Sequence, residues 1–94
     1  MKILITSATS AEAHKLKNQF PEDTVILGDY RELPVFMQLV KLPGPASMSY
    51  AHEMLTLCLD NGIEKVYALQ DEEYEGLFKA EQLFNEYGIN ISKP

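Results

Sequence analysis

Two stretches of this chain end in the same way, and that ending decides what the chain can fold into. "YAHEMLTLCLDNGIEKVYAL", residues 50–69, and "LFKAEQLFNEYGINIS", residues 77–92, each run from an amphipathic helical pattern through Gly-Ile into a short apolar stretch. Ala51, Met54, Leu55, Cys58 and Leu59 recur at i, i+3, i+4, i+7 and i+8, and Leu77, Ala80, Phe84 and Tyr87 follow a similar course. Glycine after the last helical turn takes the left-handed conformation that stops a helix, and the following isoleucine can fold back onto it. "KVYAL" (65–69) and "INIS" (89–92) then read as strands. A strand that leaves a helix this way and leads into another helix pairs in parallel, through right-handed crossovers.

The amino-terminal half obeys the same grammar. Residues 2–6, "KILIT", form a short β-branched run read as a buried strand. Thr9 and Glu12 have capping-box spacing, which predicts a helix from about Ser10 with Ala13, Leu16 and Phe20 inward and Pro21 as its stop. "TVIL" (24–27) is a second strand, closed by Gly28-Asp29. Residues 29–49 are punctuated by Pro34, Pro43 and Pro45, with a turn of helix around Glu32–Met37 and a short edge strand over 38–42. Ser49 is the expected cap of the helix that follows. The expected fold is therefore α/β, a three-layer open parallel sheet of four or five strands in one domain spanning residues 1–94.

Charge narrows the function classes. Eight Lys and Arg stand against 14 Asp and Glu, for a formal charge of −6. An acidic chain without a basic cluster lacks the positive footprint that nucleic acids and anionic membranes require. No apolar run approaches a membrane span, and the first residues read as a core strand rather than a signal peptide. A single cysteine, Cys58, cannot form an internal disulfide, so a cytoplasmic location is expected.

In an open parallel sheet, ligands sit beyond the carboxyl ends of the strands. Those ends carry Ser7, Thr9 and Ser10 after the first strand, Asp29 after the second, and Asp71 and Glu73 after "KVYAL". These six are the candidate ligand-binding residues. The turn after the first strand is built like a phosphate-binding turn, yet no glycine lies between Ile5 and Lys17. Without glycine the backbone cannot approach a pyrophosphate closely, so no nucleotide cofactor is expected. Thr9 as a plain helix cap, Asp29 as a turn former and the acids of "DEEYE" as helix-dipole partners are the competing structural readings. His14 and His52 stand alone on polar helix faces, and Cys58 lies on an apolar stripe. No metal site and no catalytic residue is assigned. Tyr30, Tyr50 and Tyr74 all fall near element ends, where they could line one pocket or one interface.

"ILITSA", "LP", "YAHEMLTLCLDNGIEKVYALQDEE" and "LFKAEQLFNEYGINI" together resemble the pre-ATP-grasp domain, the Rossmann-like amino-terminal domain of ATP-grasp ligases such as the carbamoyl-phosphate synthase large subunit. Tyr50, Leu55, Leu57, Cys58, Gly62 and Ile63 match that family's helix, Asp71 and Glu73 its D-x-E, and Leu77, Ala80, Phe84, Gly88 and Ile89 its last segment. The small-acidic pair common before "KLP" in the family is missing here. In the family the ATP-grasp domain begins about where Ser92-Lys93-Pro94 stand. The resemblance thus implies a non-catalytic module for small-ligand binding or protein interaction that does not bind ATP tightly. The alternative is the amino-terminal subunit of a split ATP-grasp ligase, and a small enzyme using the acids near Glu73 ranks third. The implied partners are an ATP-grasp polypeptide, a small molecule, or a second copy docked through Phe36, Met37, Leu39 and Leu42.

Overall fold

The computed structural model describes residues 1–31 and 39–94. Its elements are β1 (Lys2–Ile5), α1 (Ala11–Lys17), β2 (Thr24–Asp29), β3 (Val40–Lys41), α2 (Tyr50–Asn61), β4 (Lys65–Tyr67), α3 (Asp71–Phe78), α4 (Glu81–Glu86) and β5 (Asn90–Ser92). The strands form one sheet in the order β3-β2-β1-β4-β5, every described pairing parallel. This is the expected α/β fold, a Rossmann-like open sheet. The expected turn of helix at 32–37 lies outside the described residues.

Alternation along β1 explains the layering. Ile3 and Ile5 join Ala13, Leu27, Leu16 and Phe20 on the face covered by α1. Leu4 points the other way, into the larger core with Met54, Leu55, Cys58, Val66, Leu77, Phe84 and Ile91, under α2, α3 and α4. A parallel sheet buried on both faces needs apolar residues at successive positions, which "ILI" supplies.

Both Gly-Ile endings close identically. Gly62 has φ +67° and Gly88 φ +76°. The Ile63 N–H donates to the Cys58 carbonyl at 2.8 Å, and the Ile89 N–H to the Phe84 carbonyl at 2.9 Å. These are the six-to-one bonds of a Schellman closure. Both isoleucines are buried. Each closure delivers the chain to the sheet: the Glu64 N–H donates to the Lys2 carbonyl, and the Asn90 N–H to the Glu64 carbonyl.

Several expectations need correction. β2 continues through Gly28 and Asp29, because Val40 and Lys41 of the edge strand pair with them. Gly28 is a close approach there: a Cβ would stand 2.8 Å from the Leu42 side chain. The single helix expected to open in "DEEYE" and to turn Leu77, Ala80, Phe84 and Tyr87 inward is two helices. The Ala80 N–H bonds the Leu77 carbonyl at 3.0 Å, three residues back, and this tight turn starts α4 afresh from the Ala80 carbonyl. Tyr87, expected inward, is the C-cap of α4 and 56% exposed. Leu59, at the margin of the α2 stripe, is also exposed. Leu42 is a core residue and so is not part of a free docking face, and Leu39 is half-buried against the α1-side core. Phe36 and Met37 lie outside the described residues.

Candidate functional site

β1 lies between β2 and β4 in the sheet, while its crossover helix α1 covers one face and the helix after β4 covers the other. That is a topological switch point, where the loops after neighbouring strands part and leave a crevice. The segments after β1, β2 and β4 meet at this edge.

Ser7 follows β1 with φ +53°, the one left-handed non-glycine backbone among the described residues. Its hydroxyl stands 3.5 Å from Glu73 Oε1, a long hydrogen bond. So the turn without glycine uses a serine where glycine is the ordinary choice, and the side chain gained is directed at an acid. Thr9 Oγ1 donates to Asp29 Oδ2 at 3.1 Å, and the Arg31 N–H donates to Asp29 Oδ1 at 3.1 Å. Thr9 is therefore not the helix cap. Ser10 is: its hydroxyl accepts from the Ala13 N–H at 3.2 Å and donates to the Ser7 carbonyl at 2.8 Å. The Ser10 side chain thus serves the turn and α1, leaving the contacts with the acids to Ser7 and Thr9. Ser49 holds the N-cap position of α2 as expected, but its hydroxyl donates to Glu53 instead of accepting from the helix.

Asp29 and Glu73 expose no surface, and Ser7 exposes 5%. Of the six candidates, Ser7, Asp29 and Glu73 are therefore buried polar groups, while Thr9 is exposed and Ser10 half-buried. Asp71 stays apart from them. Its carboxylate pairs with Lys93 Nζ at 2.6 Å on the surface, and that ammonium holds it below the usual carboxylate range. The first residue of α3 faces solvent, while Glu73, two residues on, faces inward.

Burial raises the Glu73 carboxyl above its ordinary range, and the Asp29 charge adds to the rise. The Thr6 and Ser7 hydroxyls and the Arg31 charge oppose it. Glu73 Oε2 and Tyr50 Oη are buried without a hydrogen-bond partner among the described residues. Tyr50, on the first turn of α2, is 3% exposed, and its phenol is pushed far up by burial, then by Glu73. Gly76 makes room for it: a Cβ there would stand 2.9 Å from the Tyr50 ring. A groove of about 390 Å³, lined in part by Pro45, Ser47, Tyr50, Gly76 and Ala80, reaches that ring from outside.

The rim is polar. Half-buried Tyr30 donates its hydroxyl to Gln70 Oε1 at 3.0 Å, bridging the ends of β2 and β4. Arg31 Nε stands 4.0 Å from Asp29 Oδ1, with its side chain 53% exposed. Tyr74, grouped with Tyr30 and Tyr50 by position, instead stacks on Phe78. Thr6, Arg31 and Gln70 were not among the candidates. Arg31 and Gln70 directly flank named strand ends, so the same topological rule reaches them. Thr6 gave no such signal: it reads as the last strand residue, yet its hydroxyl accepts the Leu69 N–H at 2.9 Å.

Among the described residues, no group of three or more His, Cys, Asp or Glu could hold a metal, and no helix is long and apolar enough to cross a membrane. Cys58 is buried in the α2-side core, which pushes its thiol up to about 12 and leaves it unsuited to act as a nucleophile. No family model matches the chain, and no curated protein matches it.

Proposed function

We propose that this chain is a ligand-binding module of the pre-ATP-grasp kind, without catalysis of its own, that holds a small molecule at the carboxyl edge of its sheet. The observation that carries this reading is Glu73, a carboxylate with no exposed surface and one oxygen unpartnered among the described residues. A buried acceptor left without a donor costs about 1–3 kcal/mol, and more when charged. Such a group at a switch-point crevice is what a binding site keeps in place for an arriving donor. Two buried acids repel polyphosphate, and the Ser10 side chain already caps α1, so the reading excludes tight ATP binding. A buried thiol in a chain with no second cysteine suits a reducing cytoplasm.

Thermal unfolding of the 94-residue chain against nucleotides, amino acids and divalent metals tests the reading, since any ligand of the folded state raises Tm by mass action. The expected result is a rise with a small organic ligand that Glu73→Gln removes, and none with Mg-ATP. Micromolar Mg-ATP binding by calorimetry, or turnover by the pure chain, would overturn it.

A further inference from the structure

Two buried polar atoms at the carboxyl edge, Glu73 Oε2 and Tyr50 Oη, lack a partner among the described residues. Asp29 Oδ1 and Oδ2 are each met once, by the Arg31 N–H and the Thr9 hydroxyl. Glu73 Oε1 has the Ser7 hydroxyl at 3.5 Å, and the Thr6 hydroxyl also acts on this carboxyl. Glu73 Oε2 lacks a donor, and the charge around it says which kind. Two carboxylates, Asp29 at the end of β2 and Glu73 in the first turn of α3, stand near one another there, so an anion is repelled and a cation is favoured. A divalent metal fits poorly. Zinc takes about four His, Cys or acidic ligands and calcium about six to eight oxygens, and the described residues offer no group of three acidic, His or Cys ligands. An ammonium carries three donors on one compact head, which suits a small number of neighbouring oxygens, and the Glu73 charge is close enough to act on Tyr50.

We propose that this edge receives the protonated amino group of a small ligand, with Glu73 Oε2 and Tyr50 Oη as its acceptors. The proposal rests on the reading of this edge as a ligand site. Arg31 supports it, because the chain already places a cation of its own at the mouth, 4.0 Å from Asp29. That side chain is half exposed, so it swings away at little cost when a better-placed cation arrives. The Tyr30–Gln70 bond is the other part of the rim to give way; both residues are half-buried and regain water as partner when it opens. Tyr50 is the residue that makes the site selective. Its phenol oxygen accepts from the ammonium while its O–H stays available for a second polar group on the ligand.

The test uses the full chain with probes that differ in one group: glycine, ethylammonium, N-acetylglycine and acetate, each at constant ionic strength. Glycine and ethylammonium are expected to raise Tm, while N-acetylglycine and acetate leave it unchanged. Tyr50→Phe should weaken glycine binding about tenfold by calorimetry, the worth of one hydrogen bond to a charged group. Glu73→Gln should abolish it; circular dichroism checks that the variant folds, and Tyr50→Phe carries the test if it does not. Binding of N-acetylglycine or acetate without binding of either amine overturns the ammonium assignment while leaving a ligand site standing. No shift with any probe or with the broader amino-acid panel overturns both readings. A crystal structure in glycine that shows only an ordered water between Glu73 and Tyr50 also overturns the ammonium assignment.

Discussion

Ser7 holds φ +53°, a conformation that costs a non-glycine residue about 1–3 kcal/mol unless its surroundings hold it there. The side chain supplies the reason. Its hydroxyl reaches Glu73, and its carbonyl accepts both the Ser10 hydroxyl and the Ser10 N–H. Two substitutions separate the backbone from the side chain. Ser7→Ala keeps the strain and loses the hydroxyl, so it should cost about 1 kcal/mol, a typical hydrogen bond. Ser7→Gly loses the same bond but relieves the strain, so urea unfolding should find it the more stable of the two variants. The reverse order would mean that Ser7 is not strained in the folded protein. The missing glycine was legible as an oddity of the first turn, but its meaning was not. Nothing in "TSATS" says which of its hydroxyl residues takes the left-handed angle, because that depends on Glu73, 66 residues away.

At the scale of elements, glycines of two kinds separate local from tertiary information. Gly62 sits at φ +67° in open surroundings, with only a Lys2 carbon 3.9 Å from a would-be Cβ. Gly62→Ala should therefore cost about 1–2 kcal/mol, the ordinary penalty of the left-handed region, and Gly62→Asn should cost less. Gly76 is the opposite case. It is helical, and alanine there would gain about 1 kcal/mol in helix propensity. Its Cβ would stand 2.9 Å from the buried Tyr50 ring, and overpacking of that kind costs about 1–3 kcal/mol. Gly76→Ala should thus be neutral to destabilising, by up to about 2 kcal/mol in urea unfolding. A stabilised variant would show that the ring shifts freely. The Gly-Ile closures were readable from the chain because the whole motif lies within six residues. The role of Gly76 was not, since its partner lies 26 positions away. The break between α3 and α4 was hidden for a similar reason: Leu77 and Phe84, both buried, keep a helical spacing of seven across it.

For the whole molecule, buried Glu73 shapes how stability depends on pH. Glu73 has its carboxyl raised by burial and by Asp29. A carboxyl raised on folding binds its proton more tightly in the folded state than in the unfolded chain. The unfolded state therefore holds fewer protons between the ordinary carboxylate value and the folded one, and unfolding free energy falls as pH rises through that window. The contribution is complete below the ordinary value and is lost above the folded one. Other groups act elsewhere. The surface pair of Asp71 and Lys93 lowers the first and raises the second, so its contribution is lost in acid below the usual carboxylate range and in base above the usual lysine range. The raised Tyr50 phenol and Cys58 thiol matter only in base. Moderately acidic to neutral pH therefore isolates Glu73, and urea midpoints should decline as pH rises from the ordinary carboxylate range. Glu73→Gln removes the titrating group and should flatten that decline, whereas Asp71→Asn should leave it in place. A flat wild-type profile would show that Glu73 has found a compensating cation in solution. If ammonium is the missing partner, adding glycine should restore stability most on the alkaline side of the window, where Glu73 is charged and the amine is still protonated.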